Sequence, residues 1–212
     1  MMDTGRYVSL DENEVKRLIR DNPWGTIVTD TAKGLIASHY PMLLENDGSS
    51  EEDAGGISIV SHVGKPDDDK LELGRHEALV IIQGPNGYIS PGWYDKINVP
   101  TWNHVTAHLY GVPEILSDDE NWAVLERLTH HFEDRMPHPV LLEHQEKYAR
   151  EQMAMTAGFR IRVTRFEARL KLSQNRPQVA DRIIDELDHG DNYRQPALAD
   201  EMRRVHTPKA TA

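Results

Sequence analysis

Hydrophobic and polar residues alternate over several stretches of the chain, and this alternation predicts β-strands. The clearest stretch is Trp102–Ile115, where the even-numbered residues up to Tyr110 share one face and the odd-numbered residues share the other. Ile57–Val63 alternates in the same way, while Ala78–Gln83 is apolar almost throughout, as expected for a strand covered on both faces. Further strands are predicted at Gly25–Asp30, Leu35–Leu44 and Phe159–Leu172.

Apolar residues spaced by three and four positions predict helices between these strands. The SDDE segment that begins at Ser117 has the spacing of a capping box and predicts a helix that continues to about Met136. The apolar stripe of this helix is expected to be Trp122, Leu125, Leu128 and Phe132. The other helices are predicted at Asp11–Asp21, Glu143–Thr156 and Ala180–Asp188.

The order of these elements predicts a mainly β, α+β fold. Five or six strands come first, a helical insertion follows at about 117–157, and one strand returns after it. Such clustering favours antiparallel strands in a sheet or barrel with peripheral helices over alternating βαβ units. Residues 1–193 are expected to form one domain, and residues 194–212 a loose polar arm. Polar loops are expected at 45–56, as a hairpin tip, and at 65–70.

Composition and charge exclude several classes of protein. The 212 residues carry a net charge of −11, which disfavours direct binding to nucleic acid. The absence of cysteine excludes disulfides, zinc–thiolate sites and iron–sulfur clusters. No apolar run approaches the roughly 18 residues of a membrane span, and the first residues lack the pattern of a signal peptide. These features predict a soluble, cytoplasmic protein.

Positive charge is concentrated in the stretch Gly158–Arg176, which contains the predicted strand Phe159–Leu172. Its last six residues, KLSQNR at Lys171–Arg176, supply a cation, a hydroxyl, two amides and a guanidinium. Such a dense set of donors suits a phosphate or the polar edge of a ring. The alternative is a strand-to-helix connection whose polar groups hold the chain itself.

Aromatic residues are gathered in a segment rich in glycine and proline. Gly84–Tyr94 contains Tyr88 and Trp93, and Trp102 and Asn103 follow soon after. An open aromatic surface suits stacking on a flat heterocycle, although the same cluster could cap the end of a barrel.

Among the histidines, His104 and His108 lie about 13 Å apart along one strand, so they do not share one metal ion.

Taken together, these segments resemble the PaiB family, described as FMN-binding negative transcriptional regulators. The matching segments follow one another over nearly the whole chain: NPWGTIVT (Asn22–Thr29), GLIASHYPMLL (Gly34–Leu44), SHVGKP (Ser61–Pro66), ALVIIQGPNGYISPGWY (Ala78–Tyr94), VPTWNHVTAHLYG (Val99–Gly111) and KLSQNRP (Lys171–Pro177). The resemblance implies a split β-barrel of the pyridoxamine-phosphate-oxidase type. It also implies a homodimer with FMN in clefts at the subunit interface, without a membrane association.

The resemblance also implies which residues form the cofactor site. Trp93 and Trp102 would border the flavin ring. The polar edge of the ring would be bonded by Asn103, Ser173, Gln174 and Asn175. The charge of the phosphate would be offset by Lys65, Lys171 and Arg176, and His62 belongs to the same set. The positions of the histidines favour no resident metal ion. No residue pair is recognisable as a catalytic acid and base, and an FMN-dependent oxidoreductase activity is left open.

Three departures from the family pattern support a second candidate ligand. Gly64–Asp69 replaces the usual residues after the SHV segment, and its three aspartates would repel a phosphate dianion. Gly92 replaces a serine, and His104 replaces a tyrosine. Related split barrels also bind haem, which needs only one axial histidine. The alternative is therefore a haem-binding or haem-handling protein, and the candidate axial ligands are His39, His62, His104 and His108.

Regulation of transcription, if it occurs, is expected to be indirect. The sequence shows no helix-turn-helix motif with a basic recognition helix. The first predicted helix, Asp11–Asp21, is short and balanced in charge. A purely regulatory protein without catalysis, acting through a metabolite or a protein partner, is therefore a further alternative.

Overall fold

The computed structural model describes residues 8–46 and 56–207, and in this part of the chain it contains ten β-strands and six α-helices. The strands are β1 (Val8–Ser9), β2 (Trp24–Thr31), β3 (Gly34–Pro41), β4 (Leu43–Leu44), β5 (Ser58–Gly64), β6 (Ala78–Ile89), β7 (Thr101–Gly111), β8 (Pro113–Ile115), β9 (Thr156–Arg162) and β10 (Arg165–Lys171). The helices are α1 (Glu12–Asp21), α2 (Asp67–Lys70), α3 (Asp118–Glu133), α4 (Glu146–Met153), α5 (Ala180–His189) and α6 (Pro196–His206). The chain divides into two compact units.

The first unit holds the described residues up to Asp11, Gln83–Ala107 and the described residues from Glu167 onward. Its strands follow the order β1, β10, β7, β6. The odd-numbered residues of β7 from Asn103 onward are buried, whereas its even-numbered residues are half-buried or exposed. Helix α6 packs on the buried side, where Met202 contacts Asn103 and where a side chain at Gly87 would meet Leu198. The opposite side of these strands is therefore open to solvent.

The second unit holds Glu12–Ile82 and His108–Phe166. Strand β2 pairs antiparallel with β3 on one side and with the first part of β6 on the other. A four-stranded antiparallel sheet in the order β4, β5, β9, β8 completes the unit. Helix α3 packs on this sheet, and the apolar residues of that contact are Leu43, Val60, Leu116, Val124 and Leu128. Gly158 on β9 allows this close packing, because an added Cβ would lie 2.6 Å from the side-chain oxygen of Asn121.

Local signals located several elements correctly. The capping box of α3 is present, with the Ser117 hydroxyl accepting from the Glu120 amide and the Glu120 carboxylate accepting from the Ser117 amide. The predicted helix over 11–21, the strands over 25–30 and 57–63, and the helix over 180–188 are confirmed within one or two residues at each end. Strands β4 and β5 form a hairpin, but most of its predicted tip, residues 47–55, lies outside the described residues.

Three predicted long strands are each two strands, so those predictions are wrong. The segment 35–44 is divided into β3 and β4 at Met42, just after Pro41, which cannot donate to a ladder. The segment 102–115 is divided into β7 and β8 at Val112, just before Pro113. The segment 159–172 is divided into β9 and β10 at Val163 and Thr164, whose amides bond outside the ladder, to the carbonyls of Ile57 and Tyr110.

The prediction that Ala78–Gln83 is covered on both faces is also wrong. Strand β6 continues to Ile89, and Leu79 and Ile81 are only half-buried. The strand therefore runs into the glycine- and proline-rich segment that begins at Gly84. Gly87 serves close packing there rather than a bend, as glycine in a strand often does.

The predicted loop and arm contain helices instead. Residues 67–70 form α2, whose three acidic residues suit the positive end of a helix. Residues 196–206 form α6, in which Leu198, Ala199 and Met202 are fully buried, so the arm is not loose there. Its few apolar positions among many charged ones hid this helix in the sequence.

Helix ends and faces differ from prediction at α3 and α4. Helix α3 ends at Glu133 rather than near Met136, and its Phe132 is exposed while Val124 is buried. The segment 143–156 begins as a 3-10 turn at Leu142–Gln145, and α4 covers only Glu146–Met153. Within the part of the chain that the structure describes, no helix has the length and apolar character needed to span a bilayer.

Candidate functional site

The open side of the strands in the first unit carries a group of basic side chains. Strand β7 contributes His104, and β10 contributes Arg169 and Lys171, all of them half-buried. The Lys171 ammonium donates to the hydroxyl of Thr101 at 2.5 Å. The His104 ring lies 3.1 Å from the Thr106 hydroxyl through Nδ1. We call Thr101, His104, Arg169 and Lys171 the basic face.

Like charges act on one another across the basic face. Burial lowers the pKa of Lys171, and the positive charge of Arg169 lowers this pKa further. Burial also lowers the pKa of His104, with additional contributions from Arg169 and Lys171. An anion placed among these three side chains would offset their mutual repulsion. The basic face is therefore suited to a phosphate group.

Aromatic side chains lie beside the basic face. Trp102, which precedes His104 by two residues on β7, is 51% exposed, and its indole N–H donates to the side-chain oxygen of Asn86 at 3.1 Å. The ring of Tyr88 lies edge-on to Trp102, with 6.4 Å between the centroids, and 5.0 Å from the ring of Tyr193. This group offers an apolar surface whose indole orientation is fixed by a hydrogen bond.

Trp93, the other predicted border of a ring, occupies a different environment. It ends the 3-10 turn Pro91–Trp93 and is 9% exposed. The Ser90 hydroxyl caps this turn by accepting from the amide of Gly92 at 3.2 Å. Sequence reasoning missed Tyr193, which lies between α5 and α6 in a segment without an alternating or helical pattern.

The amide and hydroxyl residues predicted for the ring edge have partners within the first unit. Asn103 is fully buried and donates to the Ser173 hydroxyl at 3.0 Å and to the sulfur of Met202 at 3.5 Å. Gln174 accepts from the amide of Leu172 at 2.7 Å and donates to the carbonyl of Leu170 at 2.9 Å. These three polar side chains hold the end of β10.

The remaining donors of the KLSQNR segment are more open. Asn175 is exposed, and Arg176 is half-buried with its guanidinium 5.7 Å from the centre of the Tyr94 ring. Ser173 has a left-handed backbone with φ of 61°, which turns the chain out of the strand. The structure therefore brings Trp102, Lys171, Asn175 and Arg176 into one unit as groups that a ligand can reach.

The other predicted site residues belong to the second unit. His62 on β5 is largely buried, burial lowers its pKa, and its Nδ1 has no hydrogen-bond partner among the described residues. Lys65, just after β5, donates to the carbonyl of Ala154 at 3.2 Å. His39 is exposed and stacks on Trp24 with 6.4 Å between the ring centres. His108 is half-buried on the last part of β7.

The aspartates after Lys65 are partly engaged with neighbours. Asp67 accepts from the Tyr40 hydroxyl at 3.0 Å and from the Lys70 ammonium at 2.8 Å. The hydrogen bond from Lys70, followed by that from Tyr40, lowers the pKa of Asp67. Across residues 8–46 and 56–207, histidine and carboxylate side chains do not form a group of three or more that could hold a metal ion.

Comparison with known proteins identifies relatives of this chain. Residues 1–165 match the family described as "Putative FMN-binding domain". The chain is 32% identical over 193 residues to the "Protease synthase and sporulation protein PAI 2" of Bacillus subtilis (strain 168), across 89% of this chain and 90% of that protein.

Two solved structures share the fold at low sequence identity. One is the FAD and heme binding protein from Mycobacterium smegmatis, with a TM-score of 0.55 and 15% identity over 76% of this chain and 71% of that one. The other is the flavocytochrome Anf3 from Azotobacter vinelandii, with a TM-score of 0.57 and 11% identity over 80% of this chain and 72% of that one. The predicted fold class, α+β with antiparallel strands of the split-barrel type, is confirmed.

Proposed function

Because the chain belongs to the PaiB family of FMN-binding domains, we propose that it binds FMN, with the phosphate on the basic face and the flavin ring against Trp102. The observation that carries this proposal is the pair of neighbouring cations Arg169 and Lys171, with the His104 ring among them, beside an exposed indole. Bound FMN would supply electron transfer, and the protein would supply binding, orientation and electrostatic tuning.

Lys171 is the residue that we expect to hold the phosphate. Its ammonium already bonds the Thr101 hydroxyl, so the side chain is held in place before a ligand arrives. A hydrogen bond between an ammonium and a phosphate oxygen is charge-assisted and contributes about 1.5–3 kcal/mol. Because burial and Arg169 lower the pKa of Lys171, a phosphate dianion at this position would stabilise the charged form of the lysine.

Trp102 and Tyr88 are the residues that we expect to contact the flavin ring. A flat heterocycle stacks well on an indole, and such aromatic pairs contribute about 0.5–1.5 kcal/mol beyond the burial of apolar area. The hydrogen bond to Asn86 fixes the indole plane. Asn175 and Arg176 are the open donors of the same unit that could bond the polar edge of the ring. Asn103, Ser173 and Gln174 would position them by holding the end of β10. Trp93, His62 and Lys65 stay predictions.

We propose that the protein is a homodimer, on the basis of an apolar sheet face in the second unit. Trp24 on β2 and Leu35 on β3 are 63% and 78% exposed. Val28 lies between them on the sheet, opposite Ala37 of β3 and Leu79 of β6. Exposed apolar side chains on one sheet face favour a protein–protein interface, and two-fold self-association is the commonest way to cover them. Light scattering should give twice the chain mass, and Leu35→Lys should lower that mass toward the monomer.

We propose that any effect on transcription is indirect and that the protein acts in the cytoplasm. The net charge of −11 opposes association with the phosphate backbone of DNA. Binding of the purified protein to DNA should therefore be weak and independent of sequence at physiological salt. Tight, sequence-selective binding in a gel-shift assay would contradict this part of the proposal.

Haem is the second candidate ligand, because of the surroundings of His62. Its imidazole is kept neutral by burial, and a neutral ring is the form that ligates iron. Its Nδ1 also lacks a hydrogen-bond partner among the described residues. An absorption spectrum of the purified protein separates the two candidates. Paired flavin bands support FMN, whereas a Soret band that is lost in His62→Ala supports haem.

The decisive experiment is a fluorescence titration with FMN and with riboflavin, which lacks the phosphate. Lys171→Ala should weaken FMN binding about ten- to hundred-fold. Riboflavin should bind the wild type and this variant equally. Arg162→Gln, which removes an exposed cation of the second unit, is the matched control and should leave both titrations unchanged. Equal losses of FMN and riboflavin in Lys171→Ala would contradict the proposed position of the phosphate.

A further inference from the structure

The second unit contains a groove that the flavin proposal does not use. It has a volume of about 910 Å³ and lies between the end of α1, strand β4 and helix α3. Its apolar lining consists of Leu43 and Leu44, which are buried, and Ala123, which is exposed. Small-molecule sites commonly enclose about 300–1,000 Å³ and combine an apolar lining with a few polar groups. The groove is therefore large enough for a nucleotide.

Basic side chains form a stripe along one wall of the groove. Arg127 and His131 are spaced by four residues on α3, so they lie on the same helix face, and Arg135 follows just after the helix ends at Glu133; all three line the groove. Arg20, in the last turn of α1, lines it as well. Arg127 donates to the carbonyl of Leu44 at 2.5 Å. Among the described residues, neither Arg127 nor Arg135 forms an ion pair with a carboxylate.

The carboxylates that line the groove are engaged by other groups. Asp21 accepts from Arg17, outside the groove, at 2.8 Å. Glu143 lies 3.0 Å from His130. Glu126 accepts from the indole N–H of Trp122 at 2.6 Å, and this neutral partner leaves its charge in place. Of these three carboxylates, only that of Glu126 has no cationic partner among the described residues. It is therefore the one negative charge in the groove lining that Arg127 and Arg135 face without a competing cation.

We propose that this groove binds a phosphorylated small molecule of nucleotide size, with its phosphates held by Arg127 and Arg135 and its apolar part against Leu43 and Leu44. Guanidinium groups bond phosphate oxygens in pairs, which favours this ligand class. Arg127 lies on α3 and Arg135 just beyond its last residue, and both line the groove. A diphosphate ester can reach both side chains, whereas a single inorganic phosphate meets one.

The test is a calorimetric titration with ADP of the full-length protein saturated with FMN, with adenosine as the comparison ligand. ADP should bind and adenosine should not. Arg135→Gln and Arg127→Gln should each weaken ADP binding about tenfold or more. Arg162→Gln, which removes an exposed cation from β9 of the same unit, should change it little. Arg135 makes no hydrogen bond to another described residue, so Arg135→Gln should keep the melting temperature of the wild type.

Glu126→Gln provides a gain-of-binding test that a purely structural role would not produce. The amide oxygen can still accept from Trp122, while the negative charge that faces the arginines is removed. ADP should then bind several-fold more tightly. Absence of ADP binding at millimolar concentration would overturn the proposal, as would binding that is unchanged in both Arg135→Gln and Glu126→Gln. Lys171→Ala should alter FMN binding but not ADP binding, so failure of one proposal is distinguishable from failure of the other.

Discussion

The basic residues of β9 and β10 are close neighbours in sequence but stand in opposite electrostatic environments. Arg160 on β9 contacts the carboxylates of Glu45, Glu114 and Glu120, within 2.5 to 3.5 Å. Lys171 on β10 bonds a neutral hydroxyl, and its pKa is lowered by burial and by a second cation. A cation surrounded by carboxylates holds elements together, whereas a cation whose pKa is lowered by a second cation would be stabilised by an added anion. The chemistry of a basic strand therefore depends on the partners that the fold brings to it.

The largest expected effect follows from removing the cation that carboxylates surround. Arg160→Ala should destabilise the protein by about 2 kcal/mol, because it leaves partly buried carboxylates without their cation. The estimate is below that for a fully buried pair, since Glu114 and Glu120 are nearly half exposed. Urea denaturation measures this change.

Lys171→Ala is the paired variant for this measurement. It should leave the free energy of unfolding nearly unchanged, because it removes a charge that burial and Arg169 already disfavour. A loss of stability in Lys171→Ala as large as that in Arg160→Ala would break the distinction between the two strands.

A second prediction separates residues that hold the end of β10 from residues that meet the ligand. Asn103→Ala should cost about 1.5 kcal/mol of stability, because it leaves the buried Ser173 hydroxyl without its partner. Ser173→Gly should cost less, because glycine adopts the left-handed φ of 61° without strain and so offsets part of the lost hydrogen bond. Thermal denaturation compares the two. Equal losses of stability in the two variants would contradict the role given to the left-handed backbone of Ser173.

Sequence reasoning succeeded where a signal is local and failed where partners are distant. The capping box of Ser117 and Glu120 spans four residues, so the start of α3 could be predicted. Arg160 and Glu45 are 115 residues apart, and Asn103 and Ser173 are 70 apart. No spacing in a single sequence reveals such pairs. The segment Phe159–Leu172 was therefore predicted as one strand, although its two parts stand in different electrostatic environments.

In the candidate site, too, some residues could be predicted from the sequence and others only from the fold. Trp102 and Lys171 were predicted by residue type and by resemblance, and in the structure Trp102 is exposed and Lys171 half-buried in the first unit. Gln174 belongs to the same motif but bonds the backbone at the end of its own strand. Tyr193 joins the aromatic group from a segment with no pattern, so only the fold could reveal it. A motif locates a site, but the fold decides which of its donors remain for a ligand.

A third prediction concerns ionic strength. FMN binding should weaken several-fold between about 0.05 and about 0.5 M NaCl, because the basic face is half open and salt screens exposed charges. The stability difference between wild type and Arg160→Ala should change much less over this range, since the Arg160 side chain is 13% exposed. Parallel FMN titrations and urea denaturations at each salt concentration make the comparison. FMN affinity that does not depend on salt would argue against the phosphate lying on the basic face.

The smallest expected effect is the pH dependence contributed by His104. Burial, Arg169 and Lys171 lower its pKa in the folded protein, so below its ordinary value of about 6.5 the unfolded chain binds the proton first. The free energy of unfolding should therefore fall as the pH drops from about 7.5 through that value, and His104→Gln should reduce this fall. His62 has a lowered pKa for a different reason, burial alone, so His62→Gln is the control. Saturation with FMN should suppress the contribution of His104, because a phosphate offsets the neighbouring cations, and should leave that of His62 unchanged. Equal suppression of both contributions would show that FMN acts on stability in general rather than on the basic face.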